Sequence, residues 1–416
     1  MEPTRYLLIY ALTVLLMVSE LLPLTLSALV GAALMVLFGV AEGAFTYEEA
    51  LRFIDLDLIA LLVAVMIVVE VVDRLGTFRY VAFNVVKRTM GRPHALFTAL
   101  SLFSALTSLL LSDEAAILLA IAIIVSISRI GGLDPLPLSL ASAIMVNLGG
   151  TGSLIGSVVN MALGLRAGFD FVKFASYLLP CEFMLYAVTM AFLYARYRAS
   201  LAAPVMAELR VEVSRREALK GGLLLALLLA SLIAASLLGF PESGAALAAA
   251  LVALAATGWE PAEVFRRLDW DTVFFAGAFT VITEVLTRVR ALEGFAEFTA
   301  SVAGGSLTLA TIFLLTIVTL ASIFVENLAV ALTFAPVVEL FPFPRKEPLW
   351  AAVALGANLG GVGLPISSFV IVMTLGALRR EGYNIDPWSI VRVSIPTTLL
   401  WLGFSAIYLL LRFNLL

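Results

Sequence analysis

The chain has 416 residues, of which 62% are hydrophobic and only 13% charged, against roughly 25% charged in a soluble domain. With a mean hydropathy of +1.07, no globular interior could hide this much apolar surface from water, so most of the chain is solvated by lipid. A net charge of −4 gives nucleic-acid binding no electrostatic support. One cysteine (Cys181) and one histidine (His94) exclude an intramolecular disulfide, a thiol cluster and a His-ligated metal centre.

A helix crossing the ~30 Å hydrocarbon layer needs about 20 mostly apolar residues. Runs of that kind predict spans near 5–22, 24–41, 54–73, 136–165 and 174–196, and again near 219–239, 243–258, 270–287, 348–375 and 388–412. The first carries no small-residue cleavage site and reads as a retained span. Two further apolar stretches, 95–130 and 306–340, are interrupted near the middle by Asp113-Glu114 and Glu326-Asn327. Carboxylates at the centre of a straight span are costly, whereas a hairpin that dips in and returns holds them at its tip. Both stretches therefore read as re-entrant hairpins.

The polar segment from Arg196 to Lys220 carries six basic residues near the midpoint of the chain. It predicts a linker over 197–218 between a first unit, 1–196, and a second, 219–416. With this linker in the cytoplasm and five spans before it, 17 Lys and Arg fall on the cytoplasmic side and 9 on the other, as the positive-inside rule requires.

The two units resemble each other at matched spacing. Asp55-Leu-Asp57 followed by Glu70 recurs as Asp269-Trp-Asp271 followed by Glu284, 214 residues on. Asp113 and Glu326 are 213 apart, and Asn147-Leu-Gly-Gly150 recurs 211 residues later as Asn358-Leu-Gly-Gly361. Leu165, Gly168-Phe169 and Pro180 are followed in the same order by Leu378, Gly382-Tyr383 and Pro396. Leu, Ala and Val align with anything, but polar residues at constant spacing do not. An odd number of spans per unit inverts the second copy in the membrane, the architecture of secondary transporters with broken helices near the midplane.

Asn147-Leu-Gly-Gly-Thr151-Gly-Ser153 and Asn358-Leu-Gly-Gly361-Val-Gly-Leu364 place three glycines in short reach, each worth ~1 kcal/mol against helix relative to alanine. They predict unwound backbone lining a site, over close helix packing through small residues. A carboxylate inside the bilayer persists where it binds something or faces water, which singles out Asp113 and Glu326, with Glu114 divided between site and interface. Asn160 and Asn327 offer neutral oxygens to an ion or cap broken-helix backbone. Glu70 and Glu284 sit at span ends and suit pairing with nearby arginines. Glu20 and Glu182 lie in or near spans and rank lower.

Leu111-Ser-Asp-Glu-Ala-Ala-Ile-Leu-Leu119, Ser128-Arg129 and Asn147 to Gly156 with Asn160 together resemble the ion transporter superfamily, in its arsenite permease and sodium–proton antiporter branch. The likeness covers most of the chain and extends to Glu326-Asn327-Leu328 and Ala357 to Gly361. The superfamily also holds sodium-coupled dicarboxylate and citrate carriers, whose Ser-Asn-Thr type tips are absent here. Ser112 and Glu114 stand where arsenite permeases carry Asn and Gly; Ser157-Val158-Val159 and Val362, Leu364 and Pro365 also depart from the pattern.

The expected fold is thus an all-α polytopic membrane protein of two inverted repeats of five transmembrane helices, each with a re-entrant hairpin and a broken helix (136–165 and 348–375). The expected function is secondary-active transport in the cell membrane, not enzymatic catalysis. Proton-coupled export of arsenite or antimonite ranks first, sodium–proton antiport second and a dicarboxylate or citrate-type carrier third. The expected substrate and ion ligands are Asp113, Glu114, Asn147, Thr151, Ser153, Asn160, Glu326, Asn327, Asn358 and Gly361, with Na⁺ at Asp113, Asn147, Glu326 and Asn358. No resident cofactor is expected beyond transported Na⁺ or H⁺. The resemblance implies a homodimer moving a transport domain like an elevator, and the soluble ATPase subunit of some arsenite pumps is a further candidate partner.

Overall fold

A computed structural model describes the chain except residues 1–2, 20, 90–91, 111–112, 132–133, 202–213, 365–367, 384 and 416, and the side chains of Glu114, Ile130, Phe369 and Pro387. The expectations for Glu20, Ser112 and Pro365, and for the Glu114 side chain, lie outside the described residues. All regular structure among the described residues is helical. The first unit holds α1 (Pro3–Val18), α2 (Leu24–Ala41), α3 (Tyr47–Leu51), α4 (Leu56–Arg74), α5 (Thr77–Thr89), α6 (Pro93–Ser108), α7 (Asp113–Gly131), α8 (Leu136–Gly149), α9 (Val158–Ala167) and α10 (Phe171–Tyr197). The second holds α11 (Arg215–Leu238), α12 (Glu242–Thr257), α13 (Pro261–Phe265), α14 (Trp270–Arg288), α15 (Glu293–Val302), α16 (Leu307–Ser322), α17 (Asn327–Leu340), α18 (Glu347–Gly360), α19 (Phe369–Arg380) and α20 (Pro387–Arg412).

The protein is a polytopic membrane protein. Helices α2, α10, α11, α14 and α20 are each long and apolar enough to cross a bilayer unaided, and α15 meets α16 at a bend of 120°. Their lipid-facing surfaces carry Leu37, Leu223, Leu237 and Phe274, all exposed. Within the expected linker over 197–218, a 3₁₀ turn, Arg198–Leu201, follows α10, and α11 starts at Arg215. Helices α5 and α15 were not expected as separate elements.

Each unit's second helix packs on the other unit's fourth: α2 lies along α14, and α12 along α4. Several of the repeated carboxylates serve this scaffold. Asp55 and Asp269 are the N-caps of α4 and α14, accepting from the Leu58 and Thr272 amides at 3.0 and 3.1 Å. Asp57 accepts from Ser243 at the start of α12. Thr46 and Glu49 form a reciprocal capping box that starts α3, and Glu49 pairs with Arg288 of α14 at 3.1 Å. The counterpart 214 residues away is Arg74 of α4 with Glu263 of α13, at 3.3 Å. Glu70 pairs with Arg267 at 3.7 Å.

Candidate functional site

Helix α8 stops at Gly149 and α9 starts at Val158; α18 stops at Gly360 and α19 starts at Phe369. Both interruptions lie a few residues later than expected, since Asn147 and Asn358 sit inside the last helical turn. The reason is local: each amide turns back on the carbonyl four residues earlier, Asn147 on Ala143 at 3.0 Å and Asn358 on Ala354 at 2.8 Å. The first glycine of each pair serves packing. A Cβ on Gly149 would stand 2.2 Å from the Ala105 carbonyl oxygen of α6, and one on Gly360 2.4 Å from that of Thr319 on α16. Gly150 and Gly361 open the breaks themselves.

The ends of α6 and α16 meet these interruptions. Ser108, closing α6, has its hydroxyl 2.5 Å from Asp113 Oδ1 and 2.6 Å from the Val146 carbonyl. Ser322, closing α16, donates to the Ala357 carbonyl at 2.7 Å. Asp113 is the first residue of α7, and Glu326 is the N-cap of α17, accepting from the Ala329 amide at 3.0 Å. Asn327 accepts from the Leu328 amide through its own side chain at 3.0 Å. A Cβ on Gly361 would lie 3.9 Å from Asn327 Nδ2, so the start of α17 adjoins the end of α18.

The breaks are also tied to each other. Asn147 and Ser368, the N-cap of α19, contact side chain to side chain at 3.2 Å. Asn358 donates to Asn160 Oδ1 at 2.8 Å. Asn160, fully buried, turns its amide onto the carbonyls of Gly150, Thr151 and Ser153 at 2.8, 3.0 and 2.8 Å. Through these contacts Asn160 holds the backbone between α8 and α9. Thr151 and Ser153 are buried in the same loop, and the Thr151 hydroxyl has no hydrogen-bond partner among the described residues.

Four serines were missed as participants, and Glu182 was ranked low. Ser108 and Ser322 are 214 apart, and the helix-capping Ser157 and Ser368 are 211 apart, so the repeat spacing could have found both pairs. Glu182 had no such signal, because Thr398 stands at the matched distance from Pro396. Its carboxyl is fully buried on α10. Oε1 accepts from Tyr186, whose hydroxyl also lies 3.5 Å from the Gly149 carbonyl. Oε2 lies so close to Gly152 that a Cβ there would be 2.0 Å away.

No group of three or more His, Cys, Asp or Glu able to hold a metal occurs among the described residues. Carboxylate, amide, hydroxyl and carbonyl oxygens suit a hard cation or a proton instead. Alongside α4 and α9 opens a cavity of about 620 Å³, lined in part by Arg52, Asp55, Asp57, Ala162, Glu284 and Leu332. Ala162 is two residues beyond Asn160, so the cavity runs close to the first break.

A solved structure, the YdaH transporter of Alcanivorax borkumensis, superposes with a TM-score of 0.63 at 17% identity, covering 91% of this chain and 88% of that one. An uncharacterized transporter of Mycobacterium tuberculosis is 30% identical over 411 residues, 96% of either chain. The 46 kDa membrane protein of Mycobacterium leprae is 28% identical over 419 residues, 97% of either chain. The sequence profile of the citrate transporter family (CitMHS) matches residues 14–342. A membrane chain with this helix order, matched along most of its length by that profile, belongs to the citrate transporter family.

Proposed function

We propose that this membrane transporter is secondary-active and exchanges a cation, Na⁺ by preference, against protons through Asp113 and Glu326. The observation that carries the reading is the hydrogen accounting at Ser108. Its hydroxyl has one hydrogen and two acceptors within 2.6 Å, Asp113 and the Val146 carbonyl. A proton on Asp113 lets the carboxyl donate to Ser108 while Ser108 donates to the Val146 carbonyl. Loss of that proton turns the hydroxyl toward the carboxylate and releases the carbonyl beside Asn147. Proton and cation thus compete for one set of oxygens.

The framework in this reading is a pair of inverted repeats. Two sets of ten helices in matching order support it, with their cross-packing and matched ion pairs. Helices α6–α7 and α16–α17 act as re-entrant hairpins, and α8–α9 and α18–α19 as broken spans. The homodimer and elevator motion implied by the superfamily resemblance belong to the same reading.

A citrate-type carrier is the second reading. The family description favours it, as do the serine-capped starts of α9 and α19, since helix N-termini attract carboxylates. Against it stand the acidic Asp113 and Glu326 at the tips, which repel a polyanion. Arsenite or antimonite export, expected first from the sequence of the first tip, draws no support from the family description. Flux in proteoliposomes under an imposed pH gradient separates these readings, using Na⁺, Li⁺, arsenite, citrate and succinate. Proton-driven Na⁺ movement is expected. Citrate uptake without it moves the assignment to the second reading.

A further inference from the structure

The final helix of each unit backs the break in a different way. In the second unit, Ser394 of α20 donates to the Gly363 carbonyl at 2.9 Å, a neutral hydroxyl on a loop oxygen. In the first unit the matching task falls to Glu182 and Tyr186 of α10. Four residues apart on a helix, they share one face. Tyr186 has one hydrogen and two acceptors, Glu182 Oε1 and the Gly149 carbonyl. Gly149 ends α8, so its carbonyl has no later helical turn to serve it.

Glu182 has no cation to answer its charge. No Lys, Arg or His lies within salt-bridge reach of it among the described residues, and its relative exposure is zero. The titratable neighbours on its own helix are Tyr186 and Cys181; Asp113 at the start of α7 faces Tyr186, and Tyr408 of α20 faces Cys181. A carboxylate buried without counterion or full hydrogen bonding is costly. A proton or a cation arriving nearby removes that cost.

We propose that Glu182 is a second proton-holding group, which sets through Tyr186 whether the Gly149 carbonyl is free to bind the transported cation. With a proton on Glu182, its O–H donates to the Tyr186 oxygen and Tyr186 donates to Gly149. The carbonyl is then occupied. When the proton leaves to water, Tyr186 turns its hydrogen to the carboxylate, and Gly149 offers a bare oxygen with the negative charge close behind. One proton out therefore readies one ligand for a cation. Glu182 is a positioning residue, not a ligand, and the second break has no equivalent because Thr398 cannot ionise. The inference rests on cation–proton exchange as the function.

The two residues make opposite demands, which gives the test. Glutamine at 182 keeps both a donor and an acceptor and so imitates the protonated acid. Glu182→Gln should raise the Na⁺ KM about tenfold, one kcal-scale ligand interaction, and flatten its dependence on pH. Tyr186→Phe leaves Gly149 free at every pH, so the Na⁺ KM should stay at its high-pH value, again without slope. ²²Na⁺ uptake by the full chain in proteoliposomes, measured across pH, reads both. KM shifts in the same direction, or a wild-type pH slope in both variants, overturn the proposal.

An infrared difference spectrum reads Glu182 independently of what is carried. The wild type should show a protonated-carboxyl band that fades as pH rises and is missing in Glu182→Gln. No such band, or one that never titrates, also overturns the proposal. A titrating band in a protein that moves no cation would instead sink cation–proton exchange and leave the proton on Glu182 standing.

Discussion

At the scale of single residues, the proposed exchange turns on how few hydrogens serve many acceptors. Replacing Asp113 by Asn or Glu326 by Gln removes the titratable group while keeping its shape and adding a donor. Both variants should fold normally, since a neutral amide is cheaper to bury than a charge, and should lose pH-driven exchange to background. Wild-type rates in both, with size-exclusion profiles unchanged, would mean the tips carry no coupled proton. Glu49 gives a second prediction, away from the membrane. The Thr46 amide on its carboxylate holds the group below the usual glutamate range; desolvation opposes this, and the Thr46 hydroxyl, Arg288 and Arg52 assist. A carboxyl lowered on folding stabilises above its unfolded value and loses that contribution as pH falls through the folded one. The clasp between α3 and α14 should therefore hold at neutral pH and loosen below about pH 4, near the ordinary glutamate value. Amide exchange over 46–52, corrected for its intrinsic pH dependence, should quicken there; equal protection at pH 3 and pH 7 would refute it.

At the scale of elements, the two glycines of each Asn-Leu-Gly-Gly run do different work. Gly149→Ala and Gly360→Ala force a Cβ onto the backbone oxygen of Ala105 or Thr319, and overpacking of that kind costs about 1–3 kcal/mol. Thermal unfolding in detergent should move down for both. Gly361→Ala meets nothing nearer than 3.6 Å, so its melting point should hold while transport falls, because the added methyl faces Asn327. An equal thermal loss in all three variants would contradict this division. Part of the helix pattern was legible beforehand: the glycine-rich runs after Asn147 and Asn358 fall at the ends of α8 and α18, and Asp113 and Glu326 fall at the starts of α7 and α17. The break boundaries were read early because glycine content was weighed without the carbonyls to which Asn147 and Asn358 return. The short α3 and α13 were invisible to hydropathy, since five residues with two unlike faces give no apolar run. Glu182 was ranked low because nothing in a one-dimensional spacing says that α10 passes behind the first break.

At the scale of the molecule, sidedness follows from charge, and the lone Cys181 makes it measurable. In a Cys181→Ser background, a membrane-impermeant maleimide should label Glu48→Cys on intact cells. It should reach Ser214→Cys only after permeabilisation. The opposite pattern would reverse the topology drawn from the Lys and Arg distribution.

The cross-packing of α2 on α14 and α4 on α12 bears on how the chain is made. While the ribosome is still adding the first unit, α4 enters the bilayer with Asp57 awaiting Ser243 and Arg74 awaiting Glu263, partners nearly two hundred residues from synthesis. The nascent first unit must wait in the membrane with that face uncovered. Two separate polypeptides, ending at Leu201 and starting at Ser214, should therefore be unstable when produced singly and recover transport when produced together. A first unit that accumulates stably alone would show that its fourth helix finds cover without the second.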